Sequence, residues 1–370
     1  MTNPIKCFYL DHGYDTHING PCCYENIPGK NSFVEMHQQS KYIEIKQAFD
    51  SGRWPEKYCS VCKNLEAINN PDYKSKRQWG AHLYEHYKPV ANKISELIVH
   101  TGTLCNLQCR SCGFHCSSSW KNENSVLPNT LYRTKDPETD SGFYMPVVTD
   151  FSQEDFSEIK QVNLLGGEPL YGRQSFDILE KVYNEAGENC VIHFTTNGTF
   201  AIDPAAFPWL HKFKNINITI SIDAVGAEAE FIRTGCQWDK VDKNVRNLLS
   251  SGIITKGQIK CSPTYSVMNL FSVSRLHTWI NEINILKNTY VNFVTYPSYL
   301  SYSVLTDREK ELAAAQLTDS LGSFIISRIL ASPHNPDDRD KFFKFMEHTK
   351  RYHNMDWKDY LPELYTLMNH

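Results

Sequence analysis

Residues 95–112 read SELIVHTGTLCNLQCRSC, an apolar run that ends in three closely spaced cysteines. The run SELIVHTG has the length, apolar content and glycine boundary of a buried strand. Just past its end stand Cys105, Cys109 and Cys112, separated by three and then two residues. Working outward, five more runs have the same character: IKQVNLLGG (159–167), CVIHFTTNG (190–198), NINITISIDA (215–224), GQIKCSPTYSV (257–267) and TYVNFVTYPSY (289–299). Between them, SFDILEKVYNEAGE (175–188) and WDKVDKNVRNLLSSG (238–252) space their apolar residues as helices and end in glycine turns. Strands alternating with helices imply parallel β/α units, so the expected class is α/β. In such sheets ligands collect at the carboxyl ends of the strands. The chemically distinctive residues fall there: the cysteines after the first run, Gly166-Gly167-Glu168 after the second and Asn197-Gly198 after the third. Ser221 and Asp223 are expected inside the fourth.

The chain has 370 residues, 41% apolar and 22% charged, with a formal charge of −4. That is the composition of a globular protein, and it supplies no basic field for nonspecific nucleic-acid binding. The first residues lack the basic start and apolar run of a leader, and no segment has the apolar length of a membrane span, so a cytoplasmic location without membrane partners is expected. Twelve cysteines in a long chain of this kind point to metal or redox use rather than disulfides. Cys190, Cys236 and Cys261 stand alone and read as small core residues. The region up to residue 90 is rich in cysteine, aromatic and turn residues, with one helix-like stretch at KYIEIKQAFDSG (41–52). From residue 307 onward the pattern is helical.

Three thiolates from one loop cover one face of an iron–sulfur cube and leave the fourth iron without a protein ligand. A structural zinc site would be closed by a fourth residue, and His115 or Cys116 stands near enough in sequence to close one, so the triplet alone admits zinc. Gly166 and Gly167 let a backbone edge approach a ligand, and Glu168 offers an acceptor for an ammonium group. By itself each of these short segments, Asn197-Gly198 included, is an ordinary turn. Ser221 and Asp223, two apart on a strand, would face the same side.

Taken in this order, the motifs resemble those of the radical S-adenosylmethionine (radical SAM) enzymes. The cysteine motif reads CNLQCRSC. GGEPL (166–170) is similar to the family segment that holds the cofactor's amino group, and SIDA (221–224) followed by FIRTG (231–235) is similar to its fourth-strand segment with a downstream arginine. The resemblance implies a partial (β/α)6 TIM-type barrel over residues 91–306, with an N-terminal cysteine-rich extension (1–90) and a C-terminal helical extension (307–370). It implies a 4Fe-4S cluster on Cys105, Cys109 and Cys112. S-adenosylmethionine would be held by Gly166, Gly167, Glu168, Asn197, Ser221, Asp223 and Arg233. Family members usually have a large residue just before the third cysteine, against the adenine; here that position is Ser111, and Phe114 is the substitute to consider. CGFHCSSSW (112–120), FVTYPSYLS (293–301) and DWKDYLPEL (356–364) resemble the twitch-domain-containing subgroup.

Cys7, Cys22, Cys59 and Cys62 form a second candidate four-thiolate set, with Cys23 as the rival of Cys22, and their spacing suits zinc or iron–sulfur equally. The surrounding segments resemble the SPASM and twitch extensions that carry an auxiliary iron–sulfur cluster. The implied activity is reductive cleavage of S-adenosylmethionine to a 5'-deoxyadenosyl radical that abstracts a substrate hydrogen, which requires no general acid or base. An electron donor such as a flavodoxin or ferredoxin is implied. The expected substrate is a peptide or protein side chain, with a small metabolite or a tRNA base as the alternative. A non-catalytic zinc-binding interaction protein is the reading from another class.

Overall fold

The computed structural model describes residues 4–15, 32–68, 75–131, 151–203, 205–287, 292–317 and 323–369. Its strands are β1 (Gly13–Asp15), β2 (Glu96–His100), β3 (Gln108–Cys109), β4 (Gln161–Leu165), β5 (Val191–Thr196), β6 (Asn215–Ile220), β7 (Arg233–Thr234), β8 (Ile259–Cys261), β9 (Thr264–Tyr265), β10 (Leu286–Lys287) and β11 (Asn292–Phe293). Its helices are α1 (Phe8–His12), α2 (Phe33–Gln38), α3 (Ser40–Asp50), α4 (Glu56–Ile68), α5 (Lys76–Tyr87), α6 (Lys121–Asn124), α7 (Gln174–Ala186), α8 (Gly226–Ile232), α9 (Trp238–Ser250), α10 (Val273–Ile283), α11 (Asp307–Leu317), α12 (Ser323–Ala331), α13 (Pro336–His353), α14 (Trp357–Tyr360) and α15 (Pro362–Met368). The chain divides into two compact units, one of residues 1–102, 145–194 and 208–217, the other of 103–144, 195–207 and 218–370.

In the first unit β1, β2, β4 and β5 lie side by side and all parallel, with Leu97 opposite Val162 and Val162 opposite Ile192. Side chains alternate across a strand, and here the alternation sorts them cleanly. Leu97, Val99, Val162, Leu164, Ile192 and Phe194 are fully buried, while Ile98, His100, Gln161, Asn163 and His193 are only partly so. Helix α7 buries Ile178, Leu179 and Val182 at helical spacing, as its sequence predicts.

The sequence pattern assigns one helix to the N-terminal region; among its described residues there are five, α1–α5, and a strand, β1. Two of these helices start at capping boxes, Ser32 with Glu35 and Ser75 with Gln78, each side chain meeting the other's backbone N–H. Strand β1 spans three residues, too short for a two-residue period to register. A small core of Leu10, Tyr42, Ile45 and Phe49 holds α1 and α3, with Cys7, Trp54, Tyr58 and Cys59 packed on it.

In the second unit β6, β8 and β10 are parallel neighbours, Ile218 facing Ile259 and Ile220 facing Cys261. Strand β6 ends at Ile220, so Ser221 and Asp223 lie just beyond the strand and not within it. The cause is the partner: β8 stops at Cys261, the Ser262 N–H closes on the Ile220 carbonyl at 2.9 Å, and the chain then turns away. Of the sixth strand expected over 289–299, residues 289–291 lie outside the described residues and Asn292–Phe293 forms a strand, but not in the main sheet. Leu286–Lys287 pairs with β8, while Asn292–Phe293 pairs with β9 in a separate two-stranded ladder. The C-terminal helices share an apolar core in which Phe342, Phe345 and Met346 of α13 meet Trp357 and Leu361. No described helix is long and apolar enough to cross a membrane.

The Phe194 ring is fully buried in the first unit's core and stands edge-on to Trp209 at 5.5 Å. Phe194→Ala is expected to lower the free energy of unfolding by about 3–5 kcal/mol, read from the urea midpoint.

Candidate functional site

The cysteine loop belongs to the second unit and is held by its backbone. Its β3 segment pairs antiparallel with β7, placing Cys109 opposite Arg233 and Gln108 opposite Thr234. Trp120 Nε1 donates to the Cys109 carbonyl at 3.1 Å, Ser117 Oγ to the Leu107 carbonyl at 2.6 Å and Ser119 Oγ to the Cys105 carbonyl at 2.7 Å. The Cys105 N–H donates to Ser118 Oγ at 3.2 Å. A short loop carrying three thiols has few backbone partners of its own, and these side chains supply them.

The sulfurs lie among donors. Cys105 Sγ accepts the Leu107 N–H at 3.4 Å and has Asn197 Nδ2 at 4.0 Å. Cys109 Sγ has Arg233 Nη1 at 3.8 Å. The Cys112 thiol donates to the Cys109 sulfur; that bond lowers the Cys109 pKa against the opposing effect of burial, and Arg233 adds to the lowering. The same bond, with burial, pushes Cys112 well up. Burial raises Cys116 to about 11. Phe114 packs on the second unit's apolar core, the place of a residue that anchors the loop.

Arg233 is the centre of this arrangement. It is almost entirely buried, as is Asp223, and its Nε and Nη2 both reach Asp223 Oδ2, at 2.9 and 2.8 Å. Nη2 also donates to Ser221 Oγ at 2.9 Å. The other carboxylate oxygen of Asp223 accepts the Thr264 N–H at 2.8 Å. One arginine therefore joins Ser221, Asp223 and Cys109.

Asn197 is wired to the other side of the loop. Its Oδ1 accepts the Thr199 N–H at 3.0 Å and the Thr199 hydroxyl at 2.6 Å, and its Nδ2 donates to Asn106 Oδ1 at 2.9 Å. Asn106 Nδ2 donates to Thr199 Oγ1 at 2.9 Å, completing a ring of amide and hydroxyl groups. Asn106, Thr199, Trp120 and Thr264 were not singled out from sequence. Asn106 carried a signal in its place between two of the cysteines; the others had none, since only folding brings them to the loop.

Gly166, Gly167 and Glu168 follow β4 in the first unit. Gly166 has φ 141°, and a Cβ there would stand 2.7 Å from Thr101 Oγ1 and 2.9 Å from the Gly102 carbonyl. Only glycine fits this position. The Gly167 N–H donates to the Gly102 carbonyl at 2.8 Å, fixing the turn against the chain leaving β2. Glu168 is buried at the strand end, with Oε1 accepting the Leu170 N–H at 3.2 Å.

Of the amino-terminal set, Cys7, Cys59 and Cys62 are described, whereas Cys22 and its rival Cys23 lie outside the described residues. Cys7 is raised to about 11 by burial, against which the Leu10 N–H and the charge of Arg77 work, while Cys62 stands close enough to add to the rise. Cys59 interrupts α4 with non-helical angles (φ −113°, ψ 20°), three residues before Cys62. Among the described residues no group of three or more His, Cys, Asp or Glu side chains is gathered to hold a single metal ion. A cube attaches each thiolate to a different iron, so its ligands need not converge on one point.

Residues 99–267 match the family model described as the Radical SAM superfamily. No curated protein matches the chain. Among solved structures the chain is similar to native anSMEcpe with bound AdoMet and Kp18Cys peptide, at 16% identity and TM-score 0.39, covering 60% of this chain and 59% of that one. It is similar also to SuiB of Streptococcus suis, at 16% identity and TM-score 0.37, covering 87% of this chain and 71% of that one. The chain thus spans about three fifths of the length of anSMEcpe.

Removing Arg233 would leave Asp223 buried without its counter-charge. Arg233→Met is expected to cost about 3–5 kcal/mol of stability in urea unfolding. Arg233→Lys is expected to recover only part of that loss, because a point charge cannot span Asp223, Ser221 and Cys109 together.

Proposed function

We propose that this chain, which carries a radical SAM domain over residues 99–267, is an enzyme that binds a 4Fe-4S cluster through Cys105, Cys109 and Cys112 and cleaves S-adenosylmethionine. The observation that carries the reading is the set of donors around the thiols. A backbone N–H and an amide reach Cys105, and the Arg233 guanidinium reaches Cys109. Such donors favour the thiolate form that ligates iron. When bound, the cluster and S-adenosylmethionine would supply an electron and a sulfonium whose cleavage yields a hydrogen-abstracting 5'-deoxyadenosyl radical.

The chain's own residues bind and orient. Arg233 keeps a permanent positive charge beside the loop, suited to a carboxylate or an anionic cluster, and Asp223 holds it in one orientation. Ser221 and Asp223 fall just beyond β6, and Asn197 just beyond β5, where strand-end ligands are read. Gly166 and Gly167 form the close turn that leads to Glu168, the acceptor assigned to the amino group of S-adenosylmethionine. No residue is assigned as a general acid or base. His100, whose Nε2 lies 3.4 Å from Asp15 Oδ1, serves as a structural partner.

The substrate we assign is a peptide or protein side chain, supported by the likeness of the cysteine-rich segments to SPASM and twitch extensions. A second, auxiliary iron–sulfur cluster is assigned to Cys7, Cys59 and Cys62 with Cys22 or Cys23. Arg77 lies within electrostatic reach of Cys7 and Cys62, again a cation beside thiols. A flavodoxin or ferredoxin is the assigned electron donor.

Anaerobic reconstitution followed by dithionite and S-adenosylmethionine is expected to release 5'-deoxyadenosine, with about eight irons per chain for two four-iron clusters. Cys109→Ala is expected to abolish the release and to remove about half of the iron. Continued cleavage by that variant, or a colourless protein containing zinc, would overturn the assignment.

A further inference from the structure

Glu123 sits on the single-turn helix α6 with no exposed surface, and both of its carboxylate oxygens are taken. Oε1 accepts from His348 Nε2 at 3.0 Å; Oε2 accepts from His353 Nε2 at 2.8 Å and from Gln108 Nε2. The histidines stand 225 and 230 residues further along the chain, near and at the end of α13. Beside this group Arg110 is fully buried as well. Its Nε donates to the Phe231 carbonyl at 3.3 Å, its Nη2 lies 3.9 Å from Met355 Sδ, and its guanidinium stands over the Phe231 and Phe345 rings. Burial works against a charge on Glu123, but the His353 bond and the Arg110 charge outweigh it and hold the carboxyl below its ordinary range. Burial lowers His348, which suits a neutral ring donating through Nε2.

Gln108 and Arg110 flank Cys109. The strand pairing of β3 extends to the Arg110 N–H, which donates to the Ile232 carbonyl at 2.8 Å. Side chains alternate along such a segment, so Gln108 and Arg110 point to the side opposite the Cys109 thiol. Whatever holds those two side chains sets where the sulfur between them stands. Apolar packing alone would hold α13 against the loop without fixing its register, whereas charge-assisted N–H···O bonds are directional. The residues from Phe345 to Met355 supply one ring, two hydrogen-bond donors and a thioether to this one group, and Tyr352 stacks on His348.

We propose that Glu123, His348 and His353 are positioning residues that fix Cys109 from behind through Gln108, while Phe345 and Met355 hold Arg110 on the other flank, making the end of helix α13 a working part of the cysteine loop. Its consequence for catalysis rests on Cys109 being a cluster ligand; the positioning itself does not. A single-ion metal site on the same three residues is a poorer reading, since both Nε2 atoms are already engaged by the carboxylate.

The test compares wild type, Glu123→Gln, His353→Phe and His353→Gln, first without metal and then reconstituted. In the metal-free protein, iodoacetamide alkylation of Cys109 is followed by mass spectrometry, with Cys261, fully buried in the same unit, as an internal reference for opening of that unit. Glu123→Gln and His353→Phe are expected to speed alkylation of Cys109 roughly tenfold, the equivalent of one lost charge-assisted hydrogen bond, with Cys261 unchanged. His353→Gln, which keeps an N–H donor, is expected to restore most of the protection. In the reconstituted protein the same two variants should alter the electron paramagnetic resonance signal of the reduced cluster at unchanged iron content. Unchanged alkylation of Cys109 would overturn the proposal, as would equal acceleration at Cys261, which would mean a contribution to the stability of the unit alone. If Glu123→Gln does not fold, His353→Phe decides. Should Cys109→Ala retain full iron, the cluster assignment fails while the alkylation result still decides the positioning.

Discussion

A guanidinium buried between a carboxylate and a thiol organises the second unit. Arg233 is charged at any ordinary pH, and placing it in the interior is unfavourable unless every donor finds a partner. Asp223, Ser221 and Cys109 are those partners. Two of them are in turn fixed by something else: Asp223 by the Thr264 N–H on its carboxylate and Asn269 Nδ2 on its carbonyl, and Cys109 by its pairing opposite Arg233. The turn after β6, the β3–β7 ladder and the cysteine loop are therefore one mechanical unit, and their relative geometry follows from satisfying one cation.

The other side of the loop is neutral. Asn106, Asn197 and Thr199 satisfy each other in a closed set, with an Asn197 donor left near the Cys105 sulfur. Closed polar sets of this kind are costly when half made and rigid when complete. The first cysteine is held by dipoles and the second by a full charge, so the thiols of one loop do not stand in equivalent surroundings. In the first unit the same economy of backbone appears at Gly166, where the crowding of Thr101 and Gly102 admits no side chain.

Much of the fold was legible because its signals are local and repeated. The strands at 96–100, 161–165, 191–196 and 215–220 and the helices at 174–186 and 238–250 stand where apolar period and glycine boundaries put them. The misses follow from weak or non-local signals. Strand β1 is three residues long and is a strand only because β2 accepts it. The capping boxes at Ser32 and Ser75 were readable but lay in a segment dominated by its cysteines and turns. The last sheet strand fell at Leu286–Lys287 rather than in the more apolar 289–299 run, because the end of β8 decides where a neighbour can pair.

The site divides in the same way. Residue type and spacing alone named the Cys105, Cys109 and Cys112 thiols as ligands of an iron–sulfur cluster or of zinc, whereas Gly166, Gly167 and Glu168, an ordinary turn by themselves, took their role from the resemblance. Asn197, Ser221, Asp223 and Arg233 were named from motif order. That Arg233 would bind Asp223, that Asn106 would close on Asn197, and that His348 and His353 would reach Glu123 behind Cys109 could only be decided by the tertiary structure. The physical reason is that hydrogen bonds between residues tens to hundreds of positions apart depend on which faces the sheet and helices bring together, and a buried charge accepts whichever partner that packing delivers.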